Sequence, residues 1–244
     1  MKISVFILLL FCSFISFSQE KKIENQLITF DYAYQLPIGT LSESFGNNSS
    51  IGMTYLKNKS TFLYGIDVNF QFGNQVRNDS LFKLIATEDG FLINASGELD
   101  EVLLYERGFN SHLLFGKDLQ VSKNIPSRIY LYGGIGYLQH KIRIESNRTD
   151  LPQISEDYIK GYDNFTNGIS TKLCIKYMYF DKNTNIKLYL GSEFINAFTK
   201  NNRPYNFGEM ELNNTDFKLE QIIGFNFGVI IPINRNNEEK FHYY

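Results

Sequence analysis

Along the chain, eight stretches alternate residue by residue between large apolar side chains and polar or glycine ones. From Thr61 to Gly73, one parity holds Phe62, Tyr64, Ile66, Val68, Phe70 and Phe72, and the other holds Leu63, Gly65, Asp67, Asn69, Gln71 and Gly73. A period of two marks a strand with two unlike faces. Sustained over about 11 residues, it fits a tilted strand crossing the hydrocarbon layer of a bilayer. The remaining stretches are Leu27 to Leu36, Ser50 to Lys57, Val102 to Lys117, Arg128 to Glu145, Gly168 to Phe180, Asn185 to Phe198 and Phe217 to Ile233. In Arg128 to Glu145 the phase slips near Gln139, which predicts a bulge or an exit from the membrane there.

The connections sort by parity. Asn58-Lys59-Ser60 and Asp181-Lys182-Asn183-Thr184 are tight polar turns, and Asp118 to Ser127 is moderate. Pro37 to Ser49, Asn74 to Glu101, Ser146 to Asn167 and Thr199 to Asp216 are long. The fold class this predicts is all-β: an eight-stranded antiparallel up-and-down transmembrane barrel with short periplasmic turns and long extracellular loops. Within the longest loop, Ser80 to Thr87 predicts a short capped helix and Gly90 to Gly97 a hairpin tip.

A soluble lipocalin-like barrel also alternates, with its apolar face inward. Here the polar face is rich in glycine, including Gly52, Gly65, Gly108, Gly116, Gly134, Gly136, Gly191, Gly224 and Gly228. Glycine weakens a strand with no return if that face merely meets water. Inside a narrow barrel, small residues make room for long charged ones. The same face carries Asp31, Asp67, Glu106, Glu193 and Glu220 with Lys172, Lys176, Lys187, Lys218 and His112, a predicted lumen charge network. Eight strands leave an interior filled by side chains, so the network's default role is structural, with a narrow ion path as the alternative.

The N-terminus sets the compartment. Lys2 precedes the apolar run Ile3 to Phe17, and Ser16 and Ser18 supply small residues before Gln19, as in a secretory signal peptide cleaved after Ser18. The expected organisation is a signal peptide over 1–18, a periplasmic segment over 19–26, the barrel over 27–233 and a periplasmic tail over 234–244. No later run approaches the roughly 18 apolar residues of a spanning helix, so entry into a membrane requires a closed barrel. A net charge of −2 offers no footprint for nucleic acid. Of the two cysteines, Cys12 lies in the leader, leaving Cys174 without a disulfide partner and no thiolate metal site. No cofactor is expected. Aromatics make up 16% of residues with no Trp, so Tyr takes the interfacial role.

Candidate chemistry is sparse. His140, Lys141, Arg143, Glu145 and Arg148 form a rim patch where the fifth strand emerges; it is either a solvated rim or a contact for lipopolysaccharide headgroups or a protein partner. Some small barrels modify lipids with a histidine and a serine or acid. His140 is the one histidine placed for this, since His112 faces the lumen and His242 lies in the tail, but no nucleophile motif accompanies it. The expectation is no catalytic residue, with a lipid-modifying enzyme and a soluble periplasmic barrel binding an apolar ligand as the alternatives. Outer-membrane lipid and lipopolysaccharide are the expected surroundings, and loops 74–101 and 146–167 and the tail 234–244 are the expected partner surfaces.

Three segments carry a resemblance: Phe17-Ser18-Gln19-Glu20, Tyr105-Glu106-Arg107-Gly108-Phe109 and Gly136-Tyr137-Leu138-Gln139-His140-Lys141. With the aromatic-rich strands, the mature chain resembles the small outer-membrane barrels of the OmpX and PorT-like kind, in the version found in Bacteroidota. The resemblance implies a barrel in the outer membrane of a Gram-negative bacterium and no residue-level chemistry. Relatives of that kind include accessory parts of outer-membrane protein export, which implies a structural or partner-binding role by analogy alone.

Overall fold

In a computed structural model of the chain, residues 25–78, 81–120, 127–146, 151–155, 157–179 and 187–233 are described. The predicted signal peptide, its cleavage point, Arg148 and the tail 234–244 lie outside them. The elements run in the order β1 (Asn25–Gly39), α1 (Thr40–Ser44), β2 (Asn48–Lys59), β3 (Phe62–Gly73), β4 (Leu92–Ile93), β5 (Leu99–Asp100), β6 (Val102–Gln120) and β7 (Ser127–Ser146). Two 3-10 turns, Pro152–Ile154 and Tyr158–Gly161, precede β8 (Thr166–Tyr179), β9 (Lys187–Asn201), β10 (Tyr205–Asn206), β11 (Glu211–Leu212) and β12 (Lys218–Ile233).

Eight of these strands close a ring in the order β1-β12-β9-β8-β7-β6-β3-β2, every neighbour antiparallel. The register fixes the geometry. From Gln26, the partner pairs lead through Lys57, Tyr64, Phe115, Gly133, Leu173, Phe194 and Ile223 back to β1 at Leu36, ten residues further on. For eight strands, that stagger tilts each strand about 41° from the barrel axis. Two residues separate β2 from β3, and residues 74–101 separate β3 from β6; the predicted turn over 181–184 lies outside the described residues.

The faces are sorted as the period demands. On β3, Phe62 is 64% exposed and Phe70 45%, whereas Leu63, Asp67 and Gln71 are buried. Phe62 and Phe72 are ten positions apart, about 25 Å along the axis at this tilt, which matches an apolar band of bilayer height. Aromatics edge that band at both ends: Phe62, Tyr64, Tyr177 and Tyr179 toward the short turns, and Tyr34, Phe70, Phe72, Phe109 and Tyr137 toward the long loops. Apolar side chains face outward, opposite to the arrangement a lipocalin-like barrel requires.

The bulge predicted near Gln139 is not present. β6 and β7 pair without a break from Val102↔Ser146 to Gln120↔Arg128. What changes is polarity. Beyond Tyr137 the inward positions become Leu138, Ile142 and Ile144, all buried, and the outward ones become Lys141 and Arg143, both exposed. The strand has passed the apolar band and now lines a water-facing wall that encloses a second core. To a pattern reader, exchanging the polarity of the two faces is indistinguishable from slipping by one residue.

Two apolar clusters bracket the interior. Toward the short turns, Leu27, Leu56, Leu63, Leu114, Tyr130, Met178 and Ile230 pack together. Toward the long loops, Ile142, Ile144, Ile195 and Ile222 of the strands meet Leu41, Phe45, Leu81 and Tyr162 of the loops. The loop of residues 74–101 is tied to the rim by a bridge between Phe45 and Val76 and by the bond from Arg77 N to Ser44 O (2.8 Å). Its 81–86 stretch makes turns, with Ile85 N and Ala86 N both donating to Phe82 O, rather than the predicted helix. The hairpin forms, as β4 and β5, around Gly97 at φ 79°.

Candidate functional site

Between the two apolar clusters lies a charged middle layer, built from inward positions of β1, β2, β3, β6, β8 and β9. Lys172 Nζ is 2.7 Å from Asp67 Oδ2 and 3.3 Å from Glu193 Oε2. Asp67 Oδ1 also accepts from the backbone N–H of His112 (2.8 Å) and faces its Nδ1 (3.1 Å), while His112 Nε2 meets Ser170 Oγ at 2.9 Å. Gln35 Nε2 donates to Glu193 (3.0 Å), and Gln71 Nε2 donates to Gln35 (2.9 Å). Asp31 gathers Thr29, Thr54 and Tyr189 hydroxyls and Lys176 Nζ at 3.2 Å. The free space at the centre of this layer is about 10 Å³, at the lower limit for a single water.

Small residues allow this density. A Cβ at Gly136 would strike the Ser111 carbonyl and the His112 backbone on the neighbouring strand.

Nearer the long loops, Glu106 accepts from Asn48 Nδ2 (3.0 and 2.9 Å), and His140 Nε2 lies 2.9 Å from Glu220 Oε2. His140 is therefore an interior residue, 5% exposed, with Phe45 edge-on to its ring at 5.3 Å. This corrects its placement on the rim: its parity points inward, since the phase of β7 never slips. It also puts the one candidate catalytic histidine out of reach of the surface. Two lysines predicted for the lumen are displaced. Lys218 is exposed at the long-loop end, where β12 still pairs with β9 but has passed the end of β1, and Lys187 is half-buried at the opposite end of β9. Among the described lysines, Lys172 and Lys176 alone reach the middle layer.

Further interior residues lie at the ends of the alternating stretches, where the pattern gives little sign of them. Asp118, Asn58 and Arg128 make a buried cluster toward the short turns, in which both Asn58 and Arg128 donate to the carboxylate. Asp118 falls in a turn if its strand is ended at Lys117, three residues early; its even position continues the inward parity of β6. At the other rim, Lys141 and Arg143 face outward, Arg143 Nε pairing with Glu145 Oε1 at 2.6 Å. Arg107 joins them, being directly opposite Lys141 in the register.

Three long loops fold over the barrel mouth into a cap. Tyr162 is the meeting point, its ring centroid 5.2 Å from that of Phe82 and 5.4 Å from that of Phe207. Gly161 lets the chain pass the Phe207 ring, which any Cβ there would strike. Asp163 clasps Arg203 through Nε (2.7 Å) and Nη2 (2.5 Å), and its backbone carbonyl accepts from Ile142 N (2.7 Å). The clasp holds the Arg203 guanidinium above its ordinary pKa, and burial pushes the Tyr162 phenol up.

The fold and its interior define a class: a closed barrel, apolar outside, with charges paired in a sealed lumen. No family model and no curated protein matches the sequence. Among solved structures, the chain is similar to Neisserial surface protein A, at 10% identity over 84% of this chain and 96% of that one, TM-score 0.48. It is also similar to a major outer membrane protein from Thermus thermophilus, at 10% identity over 85% of this chain and 99% of that one, TM-score 0.38.

Proposed function

We propose that this protein is an outer-membrane barrel of the small, non-conducting kind, which anchors a folded loop cap at the cell surface for contact with a protein partner. One observation carries the membrane assignment. Outward positions of the barrel strands are apolar over about 25 Å, while the charged side chains of the middle layer on the same strands point inward. Water on both sides would leave Phe115, Ile135, Ile169, Leu173 and Leu190, each more than 60% exposed, without a partner.

The cap supports the partner-binding part. Its own core makes it a rigid platform, yet it presents Leu84, Ile93, Leu99, Tyr158, Met210 and Leu212 to solvent, the last 79% exposed. Loops on a rigid scaffold commonly carry recognition, and apolar side chains held outward on one are suited to a protein surface.

Labelling intact cells tests both parts. Leu212→Cys should react with a membrane-impermeant maleimide, while the native Cys174, 3% exposed within the barrel, provides an unreactive background. Failure to label on intact cells, with labelling after lysis, would defeat the surface assignment. Recovery of the protein in the soluble fraction would defeat the membrane.

A further inference from the structure

We infer that the outer wall over β6 and β7 carries a site for the phosphate group of an outer-leaflet lipid, with Arg107, Lys141 and Arg143 as its cationic ligands. This rests on the membrane placement proposed above. The register sets Arg107 across from Lys141 and Arg143 across from Tyr105, so three cations stack within two rungs of one ladder. One rung below them lies Phe109, itself opposite Phe70, and Phe72 faces Arg107 from β3. The cations thus begin where the aromatic edge of the apolar band ends, at the level of lipid headgroups. A groove of about 440 Å³ opens there, lined by Phe70, Arg107, Lys141, Arg143, Ile159 and Asp163.

The charge balance of the groove is positive. Asp163 is occupied by Arg203, and Glu145 neutralises Arg143 only in part, since Arg143 and Glu145 remain well exposed, at 56% and 39%. Arg107 has the Tyr105 ring 5.0 Å away and donates to the Glu106 carbonyl, and among the described residues no carboxylate is paired with it. Lys141 has no anionic partner among the described residues. A phosphate in the groove would accept from Arg107 and Lys141, with its acyl chains lying over Phe70, Phe72 and Phe109. An anion without acyl chains would gain nothing from that aromatic wall, so a lipid is the occupant.

Native mass spectrometry of the purified full chain, titrated in detergent with bisphosphorylated lipid A, its dephosphorylated form and inorganic phosphate, tests this. The phosphorylated lipid should bind at least about tenfold more tightly than the dephosphorylated one, the worth of one charge-assisted hydrogen bond. R107Q/K141Q should lose that preference. Lys200→Gln removes an exposed cation on β9, held 5.9 Å from the Phe217 ring, and should leave the preference intact. Equal binding of both lipid forms, equal loss in the Lys200 variant, or inorganic phosphate binding as tightly as the lipid would each overturn the inference. Heat-modifiable migration after vesicle reconstitution is scored on the same samples. Wild type that never inserts defeats the membrane reading and this site together; wild type that inserts but shows no phosphate preference defeats the site alone.

Discussion

Lys172→Met is the sharpest probe of the sealed lumen. The lysine is 3% exposed, and its ammonium bridges two carboxylates, Asp67 at 2.7 Å and Glu193 at 3.3 Å. Methionine nearly matches its length and removes the charge. Asp67 would keep the His112 backbone N–H and ring, and Glu193 would keep Gln35 and Asn226, the latter at 3.3 Å. Hydrogen bonds of this kind do not neutralise charge, so two buried anions would face each other without a cation between them. Breaking a buried pair costs about 3–5 kcal/mol, a large part of the roughly 5–15 kcal/mol that holds a domain together. Adding Asp67→Asn removes one of the orphaned charges and should recover about half of the loss. The measurement is urea-induced unfolding of vesicle-inserted protein, followed by loss of the fast-migrating band on unheated gels. A cost below about 1 kcal/mol for Lys172→Met, the value of a solvent-exposed pair, would show that water reaches these charges and that the lumen is not sealed.

Three further outcomes follow from the same geometry. Leu173→Arg, on the outward face of β8 at mid-band and 62% exposed, should destabilise the inserted barrel by about 2–4 kcal/mol; a neutral result would argue for water on that face. Purified protein in a planar bilayer should show no steady conductance, because the middle layer leaves about 10 Å³ free and apolar clusters close both ends; a stable single-channel current would contradict this. Arg203→Ala should release the Asp163 clasp at a cost of about 1–3 kcal/mol confined to the cap, seen as faster hydrogen exchange in residues 157–165 and 202–217 with β1 to β3 unchanged.

Parity along the strands determines which face most side chains of this molecule take. It sorted Phe62, Phe70, Leu113, Phe115, Ile135 and Leu173 outward and Asp31, Asp67, Glu106, His112, Lys172, Lys176, Glu193 and Glu220 inward, because side chains on a strand alternate with a period that no tertiary contact alters. Parity cannot tell how far along the axis a residue lies, or which side of the wall is wet at that height. Both depend on the ten-residue stagger of the ring, a sum over eight pairings that is complete only when β1 meets β12 at the far end of the chain. For that reason Lys218, of inward parity, proved to stand in solvent beyond the end of β1, and His140 proved to be an interior partner of Glu220, 80 residues away. The pairings themselves, Lys172 with Asp67 or Tyr162 with Phe82 and Phe207, were likewise decided only in three dimensions. Local pattern specifies which face a side chain takes; closure of the barrel and folding of its loops choose what it meets there.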